Sequence, residues 1–388
     1  MVKLLSFESL SLSVKDFLSI KNPVLSNEVH IKAALDWLKI AQDRTEDGGV
    51  AAWYSLATGW SRSYIETTGY IISTFLDCSR YFRETDLKIR AKKMADFLLS
   101  MQLPSGGFRN EVPEKDQNSQ PIVFDTGQDV LGLVDIYKAT KEKKYKESVI
   151  KAADFLCSIQ EKDGSWVKFT YGNCVHTYNT RVAWALLKVF QITNNRKYLK
   201  HATANLDWAA ENQTSNGWFK LNNFPPPNSH TPFTHNISYT IEGFLWSGLI
   251  LKNSKYIEVA KKTGDCLLDL YSKGYLNGAF DSKWKSDGNY TCLTGDAQIS
   301  LVWLNLFIIT KDEKYLEAAK RMNNFLKSIQ DTMLKNKNIK GAIKGSFPIY
   351  GDIINNKGYC RMAYLNWATK FFIDALLAEE RINKDYES

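Results

Sequence analysis

Four acidic residues lie in polar segments next to strongly apolar stretches of the chain: Glu66, Asp125, Glu242 and Asp296. Two carboxyl groups can perform acid–base chemistry when their surroundings keep one protonated and the other ionised. Hydrolysis of a glycosidic bond needs such a pair, because one group protonates the leaving oxygen while the other activates water or attacks the sugar. We therefore expect Glu66 or Asp125 to pair with Glu242 or Asp296 as acid and base.

Each of these carboxylates also has a structural interpretation. Glu66 and the serine three residues before it match a capping box, and Asp125 is placed to cap a helix N-terminus. Asp296 satisfies first-turn amides by the same logic. Glu242 is harder to explain in this way, since it lies within the otherwise apolar stretch 239–251, where burial of an unpaired charge is expensive.

A second set of residues indicates a different reaction, proton transfer at the carbon beside a uronate carboxylate. Epimerisation and elimination both need a base and an acid that flank this carbon, and a cation that holds the carboxylate. Tyrosine or histidine would carry the proton, and arginine would bind the carboxylate. The candidates are Tyr64, Tyr178, Tyr239, His176 and His235, with Arg62, Arg181 or Arg361.

Aromatic residues in or beside the same segments favour a sugar ligand for either reaction. Apolar ring faces stack on the C–H groups of a sugar, although anchoring of loops explains a tryptophan equally well. Asn366, which precedes the last tryptophan of the set, is a further binding candidate. The tryptophans are Trp53, Trp60, Trp166, Trp218, Trp284 and Trp367.

The elements that position these residues repeat six times along the chain. Successive copies of one short phrase begin 53 to 60 residues apart, a period that fits one helical hairpin. Each phrase has the apolar spacing of an amphipathic helix, and a glycine and an aromatic residue follow it. The copies are Asp36-Trp37-Leu38, Asp96-Phe97-Leu98, Asp154-Phe155-Leu156, Asp207-Trp208-Ala209, Asp265-Cys266-Leu267 and Asn324-Phe325-Leu326.

A second helix, apolar on more than one face, follows in every repeat and is typical of a fully buried helix. Outer amphipathic helices and inner buried helices predict an all-α fold, the (α/α)6 toroid, with an N-terminal arm at 1–26 and a single toroid domain at 27–388. An open α-solenoid is the alternative, because stacked hairpins also bury neighbouring faces. In a closed ring the inner helices start on one face, so their polar first turns converge on one cavity, and their N-termini favour an anionic ligand.

Composition excludes several classes of protein. The 388 residues are 44% hydrophobic and 24% charged, and apolar runs such as 299–309 are shorter than a membrane span requires. The first twenty residues lack the pattern of a secretory signal, so we expect a cytoplasmic protein. The sequence does not predict an oligomeric state.

The cysteines and the charge pattern indicate a protein without a cofactor. Six scattered cysteines form no CxxC pair, which favours reduced thiols over disulfides or a metal site. No P-loop or Rossmann fingerprint is present. The net charge of +8 comes from lysines spread over outer faces, so a solvated surface is favoured over binding of nucleic acid or an acidic glycan, and no nucleic-acid partner is expected.

With its repeats and polar helix starts, the chain resembles the six-hairpin toroid enzymes: unsaturated glucuronyl hydrolases, the C-terminal domain of glucuronyl C5-epimerases and sugar 2-epimerases. The segment 160–166, QEKDGSW, resembles the QW motif of squalene cyclases and prenyltransferase β-subunits. The runs HNISYTIEG from His235 and CLTGDAQ from Cys292 are similar to bacterial toroid proteins associated with surface polysaccharide genes, a resemblance that covers roughly 27–377.

The residues and the resemblance together predict an enzyme that modifies a uronate-containing oligo- or polysaccharide, with hydrolysis ahead of C5-epimerisation or elimination. A toroid that only binds a glycan, or a partner protein of a polysaccharide assembly system, stays open as a second class. Cyclisation of a terpenoid is the least favoured, because the DxDD acid of squalene-type cyclases is absent.

Overall fold

A computed structural model of the chain describes residues 7–112, 119–224, 230–272 and 275–387. Helices dominate the described residues, and short strands lie at one end of the molecule. The helices are α1 (Phe7–Phe17), α2 (Asn27–Asp43), α3 (Ile65–Phe82), α4 (Thr85–Met101), α5 (Val123–Thr140), α6 (Lys143–Ser158), α7 (Thr180–Thr193), α8 (Arg196–Glu211), α9 (Thr234–Leu251), α10 (Ser254–Ser272), α11 (Leu293–Thr310), α12 (Glu313–Ile329) and α13 (Asn366–Glu387).

Twelve of these helices form two concentric rings. The odd-numbered helices from α3 to α13 pack each against the next and make the inner ring, and the even-numbered helices from α2 to α12 surround them. α13 packs on both α2 and α3, so the last hairpin meets the first. The predicted (α/α)6 toroid is therefore confirmed, the open solenoid is wrong, and all six repeat phrases lie on outer helices.

One inner helix shows why apolar length is a poor guide to a membrane span here. Among the described residues, α11 is long and apolar enough to cross a bilayer by length and composition, with 72% of it buried inside the protein. Its neighbours α9, α12 and α13 cover it, so burial accounts for its apolar character.

The strands join the first repeat to the last. They are β1 (Trp53–Ser55), β2 (Gly59–Trp60), β3 (Thr291–Cys292), β4 (Ile343–Lys344), β5 (Ser346–Phe347) and β6 (Ala363–Leu365). An antiparallel sheet runs in the order β2-β1-β6-β4, and β3 pairs with β5. Asn366, directly after β6, donates to the Ala51 carbonyl at 2.9 Å and to the Thr67 hydroxyl at 2.8 Å. These two hydrogen bonds join the last repeat to the first, so the Asn366 side chain has a structural role where the ring closes.

Candidate active site

A cavity of about 660 Å³ opens at the end of the ring where the inner helices begin. Aromatic side chains make up the largest share of its wall, and Arg62, Glu66 and Glu111 place charged groups on it. An entirely apolar cavity would have suited a terpenoid, so these groups oppose that alternative. The aromatic lining comes from Trp53, Tyr64, Tyr70, Phe124, Tyr171, Phe224, Tyr239, Tyr359 and Trp367.

Glu66 lies on this wall, in the first turn of α3. The Tyr64 hydroxyl is 2.6 Å from Oε2 of the carboxyl group, and the Tyr239 hydroxyl is 3.4 Å from Oε1. Burial raises the pKa of Glu66 to about 7, although the hydrogen bond from Tyr64 and the charge of Arg181 oppose the rise. The capping-box prediction is wrong, because the Ser63 hydroxyl donates to Asp47 instead, at 2.6 Å.

Asp125 lies behind the wall, in the first turn of α5, and is fully buried. The predicted N-cap role is wrong, since α5 begins two residues earlier and Ile122 occupies the cap position. The Tyr171 hydroxyl donates to the two Asp125 oxygens, at 2.9 and 3.1 Å. Burial and the nearby Glu66 raise the pKa of Asp125 well above its usual value, and the Tyr171 hydroxyl opposes this rise.

Tyr64 and Tyr171 connect the two carboxyl groups. Their hydroxyl oxygens are 3.0 Å apart, so three consecutive contacts run from Glu66 through Tyr64 and Tyr171 to Asp125. Three hydrogen bonds need three hydrogen atoms, and the two phenols supply two of them. One further proton on a carboxyl group completes the chain, so the arrangement favours one protonated and one ionised carboxyl group.

Glu242 does not join this pair. It accepts a hydrogen bond from the Arg181 guanidinium, whose Nε donates to Gln128 at 2.7 Å, and all three side chains are buried. Glu242 and Arg181 line a separate cavity of about 140 Å³. Burial raises the pKa of Glu242, and Arg181 opposes the rise. The expected pairing of Glu242 with Glu66 or Asp125 as acid and base is thus replaced by an ion pair.

Asp296 also lies apart from the two linked carboxyl groups. It is in the first turn of α11 and is buried, and burial raises its pKa well above the usual value. Neither of its carboxyl oxygens accepts from a first-turn amide, so the predicted capping role is wrong. Among the described residues, those that line either cavity do not include Asp296.

The candidates for proton transfer separate into two groups. Tyr239 and His235 line the large cavity with ring centres 4.2 Å apart. Burial lowers the pKa of His235 to about 3, so its ring is neutral. Its Nδ1 lies 2.6 Å from the Gln298 amide oxygen, which can only accept, so Nδ1 carries the proton and Nε2 the lone pair.

Tyr178 and His176 lie behind the cavity wall, and their rings stack with centres 4.6 Å apart. Tyr178 is fully buried against Phe124. His176 contacts the backbone oxygen of Tyr171 through Nε2 at 2.7 Å, and burial lowers its pKa. His176 therefore holds the loop that carries Tyr171.

The predicted binding residues also divide. Arg62, Tyr64 and Trp367 line the cavity with Trp53. The other candidates anchor loops: the Trp60 indole donates to Asn338 at 3.0 Å, and that of Trp166 to the Leu156 carbonyl at 2.9 Å. Trp218 is buried, the Trp284 indole donates to the Asn216 carbonyl at 2.9 Å, and Arg361 donates to Asn356 at 2.7 Å.

Five aromatic wall residues were not among the predicted site residues: Tyr70, Phe124, Tyr171, Phe224 and Tyr359. Of these, Tyr171 matters most, because it joins the carboxyl groups. Tyr171 lies in the loop just before the polar start of α7. This segment was predicted to converge on the site, but the tyrosine predicted there was Tyr178. A tyrosine beside a glycine in a convergent loop was the available signal.

Comparison with known proteins gives matches by family model and by structure. The family model described as pectic acid lyase matches residues 125–185. An unsaturated glucuronyl hydrolase from Bacillus sp. GL1, described as responsible for the degradation of glycosaminoglycan, superposes with a TM-score of 0.71 at 15% identity, covering 92% of this chain and 97% of that one. A search of curated proteins found no match.

Two further solved structures share the architecture. Cellobiose 2-epimerase from Bacillus thermoamylovorans B4167 has a TM-score of 0.71 at 12% identity, covering 97% of this chain and all of its own. The GH76 α-mannanase from Bacteroides thetaiotaomicron has a TM-score of 0.67 at 14% identity, covering 94% and 98%. This chain has the (α/α)6 toroid fold of these carbohydrate-active enzymes.

Proposed function

We propose that this protein is a carbohydrate-active enzyme that hydrolyses a glycosidic bond, with Glu66 as the proton donor. The structural neighbours that share the fold are named as hydrolases and epimerases of sugars. Fold alone does not select a reaction. The residues on the cavity wall support hydrolysis.

The observation that carries this proposal is the linked pair of carboxyl groups. Glu66 lies on the cavity wall with a pKa near 7, so a large fraction is protonated at neutral pH. A general acid is most effective when its pKa lies near the working pH. The second carboxyl group, Asp125, is linked to Glu66 through Tyr171 and Tyr64, and the nearby charge of Glu66 contributes to the raised pKa of Asp125.

The proposed reaction proceeds in two steps. Glu66 transfers its proton to the glycosidic oxygen, the bond from the anomeric carbon to that oxygen breaks, and the alcohol leaves. Water then attacks the anomeric carbon and gives its proton to the Glu66 carboxylate, which restores the acid. Asp125 does not line the cavity, so it acts on Glu66 through the hydroxyls of Tyr171 and Tyr64 rather than by direct attack on the sugar.

The cavity indicates the kind of glycan that binds. A volume of about 660 Å³ lies within the usual range for small-molecule pockets and suits a short oligosaccharide or one chain end. Trp53, Trp367 and Tyr359 offer ring faces and edges for stacking on sugar C–H groups. Arg62 on the same wall offers a partner for a uronate carboxylate.

The test uses uronate-containing and neutral oligosaccharides with the wild-type protein and three variants. We expect release of new reducing ends by the wild type, a loss of at least about 100-fold in Glu66→Gln, and a smaller loss in Asp125→Asn. Glu147→Gln, on the exposed side of α6, is the matched control and keeps full activity. Full activity of Glu66→Gln would overturn the assignment, and binding without any product would favour a glycan-binding toroid instead.

A proton-transfer reaction is the second candidate, and the pectic acid lyase match over 125–185 favours it. In that reaction Nε2 of neutral His235 is the acceptor for the proton beside the uronate carboxylate, and its pKa of about 3 makes it a weak base. Tyr64, Tyr171 and Tyr239 are poor bases at neutral pH, because burial raises their pKa well above 10. Elimination would release an unsaturated sugar, and epimerisation in deuterated water would label the sugar without cleaving it.

A further inference from the structure

The hydrolysis proposed above leaves Arg181 and Glu242 without a role, although both are charged and buried near the centre of the ring. Arg181 is about 2% exposed and Glu242 about 2%. Burial of two charges is expensive, and apolar residues of similar volume would commonly serve stability as well or better. The position of the pair relative to Glu66 suggests what it does.

Arg181 lies directly beneath the floor of the large cavity, which we define as Tyr70 and Tyr239. Its guanidinium carbon is 4.8 Å from the ring centre of Tyr239 and 5.9 Å from that of Tyr70. The two tyrosine hydroxyls are 3.4 Å apart, and that of Tyr239 reaches Oε1 of Glu66 at 3.4 Å. One aromatic ring therefore separates the arginine from the proposed proton donor.

Two partners hold the guanidinium in this position. Gln128 of α5 accepts from Nε at 2.7 Å, and Glu242 of α9 accepts from a terminal nitrogen. Arg181 itself belongs to α7, so the contacts join three adjacent inner helices. Glu242 also balances most of the arginine's charge, so only a part of it acts on neighbouring groups.

We propose that Arg181 and Glu242 are a positioning pair for the proposed reaction. The pair holds Tyr239 against Glu66, and the part of the Arg181 charge that Glu242 leaves unbalanced stabilises the ionised form of the Glu66 carboxyl group. This inference rests on the proposed function of Glu66. The charge of Arg181 lowers the pKa of Glu66 against the larger effect of burial, in agreement with the geometry. Loss of Glu242 would expose more of that charge, and loss of Arg181 would remove it.

Other charged and titratable groups face Glu66 from the surrounding helices and stay in place in the variants below. From α3 and α5 they are Tyr70, Asp125 and Asp129. From the segments that precede α3 and α7 they are Tyr64 and Tyr171, and Arg62 and Glu111 lie on the same cavity wall. From α9 they are His235 and Tyr239, and from α13 Lys370 lies 5.0 Å from the Tyr70 ring.

The experiment measures the titration of Glu66 without reference to activity. Carbon-13 NMR of protein labelled at the glutamate carboxyl groups follows each resonance against pH, and the resonance absent from Glu66→Gln identifies residue 66. In Glu242→Gln we expect the Glu66 midpoint to fall by roughly 0.5–1 pH unit. In Arg181→Gln we expect it to rise by a similar amount, and in the double variant to return close to the wild-type value.

Asp135→Asn is the matched control. Asp135 accepts from Lys188 at 2.6 Å, so this change also frees a cation on α7 from its partner on an inner helix. Lys188 is not among the groups that shift the pKa of Glu66, so we expect the Glu66 midpoint in Asp135→Asn to equal that of the wild type. The comparison separates a specific effect of Arg181 from a general effect of unpaired charge in the ring.

The variants decide the proposal even where one of them does not fold. Arg181→Gln leaves Glu242 buried without its cation, so this variant is the one most prone to misfold. In that case Glu242→Gln and the double variant test the proposal. An unchanged midpoint in folded Glu242→Gln would overturn the proposal. Shifted midpoints without turnover of any glycan would uphold the positioning pair and count against the proposed reaction. Where turnover is present, the alkaline limb of the rate profile shifts in the same directions.

Discussion

At the scale of the residue, the buried carboxyl group of Glu66 lowers the stability of the folded protein. Its carboxyl group is buried, so the ionised form is poorly solvated, and its pKa rises from 4.5 to about 7. The folded protein thus binds this proton more tightly than the unfolded chain does. Between about pH 4.5 and 7 the contribution of Glu66 to the free energy of unfolding therefore falls as pH rises, and above pH 7 the full penalty is present.

Replacement of Glu66 by Gln should stabilise the protein in a pH-dependent manner. The amide has the same size and cannot ionise, so at pH 8 we expect the free energy of unfolding to rise by about 1–3 kcal/mol. Near pH 4.5 the gain should be close to zero, because the native carboxyl group is then protonated. Urea unfolding at both pH values measures the difference, and an equal change at both would contradict the assigned burial effect.

Replacement of Tyr171 by Phe tests the link between the carboxyl groups. It removes the hydroxyl that contacts both Asp125 and Tyr64, so burial raises the pKa of Asp125 further. The Tyr64 hydroxyl then has Glu66 as its acceptor without competition from Tyr171, which stabilises the ionised carboxylate. The pKa of Glu66 should therefore fall, and the alkaline limb of the rate profile should move to lower pH with roughly tenfold slower turnover.

Tyr178→Phe is the control for that change. Tyr178 lies on the same side of the ring and is fully buried, and its hydroxyl has no hydrogen-bond partner among the described residues. We expect its rate profile to match the wild type. Equal profiles for Tyr171→Phe and the wild type would show that the linked hydroxyls do not influence the reaction.

The sequence identified part of this site for physical reasons that also limited it. The polar start of α3 was found because polar residues interrupt an apolar helix there, which brought in Glu66 and Tyr64. The local spacing around Ser63 and Asp125 matched that of helix caps. In the folded protein Ser63 instead donates to Asp47, and Asp125 accepts from Tyr171. Burial of Glu242 was predicted, but its partner Arg181 lies 61 residues away in sequence, a pairing that only the folded ring brings about.

At the scale of the element, the repeat phrase links four of the outer helices, α4, α6, α8 and α10, each to the next outer helix. Its aspartate accepts a hydrogen bond from a tyrosine at the start of the following outer helix, at 2.6 to 3.1 Å. The pairs are Asp96 with Tyr145, Asp154 with Tyr198, Asp207 with Tyr256, and Asp265 with Tyr315. A glutamine follows five of the six phrases and adds to this, as Gln102 donates to the Ser148 carbonyl of the next outer helix at 2.9 Å.

Asp96→Ala should therefore destabilise the ring. It leaves the Tyr145 hydroxyl without its acceptor at a partly buried position, and we expect a loss of about 1–2 kcal/mol in the free energy of unfolding. Asp36→Ala is the control, because Asp36 is 56% exposed and lies 3.8 Å from Lys39 in a weak surface pair. We expect a change within about 0.5 kcal/mol there. Equal losses in urea unfolding would show that the aspartate–tyrosine bond contributes nothing.

The periodicity of apolar residues predicted both rings of helices, whereas the strands were not predicted. Outer and inner helices are 14 to 22 residues long, so their apolar spacing is sampled over several turns. The strands are two or three residues long, too short for an alternating pattern to appear. β1 and β6 pair across the whole length of the chain, with Trp53 opposite Leu365, and such a contact leaves no local signal.

At the scale of the whole molecule, the N-terminal segment fastens the start of the chain to its last hairpin. Asp16 of α1 pairs with Lys344 of β4 at 2.6 Å and accepts from the Ile349 amide at 2.8 Å. Both side chains of the ion pair are about 3% exposed or less. Lys15 adds a pair with Asp331 at 2.5 Å. The segment thus braces the region between α12 and α13, where the ring closes.

Asp16→Asn should weaken this closure more than a surface change of the same kind. It leaves Lys344 buried without its counter-charge, so we expect a loss of about 3–5 kcal/mol in the free energy of unfolding. In Asp77→Asn the lost partners are Arg80 and Arg381, which are 67% and 63% exposed, and the expected loss is below about 1 kcal/mol. Replacing Lys344 by Met in the Asp16→Asn background should restore most of the stability, because no unpaired buried charge then remains. Similar losses in the two single variants would show that the segment does not hold the ring closed.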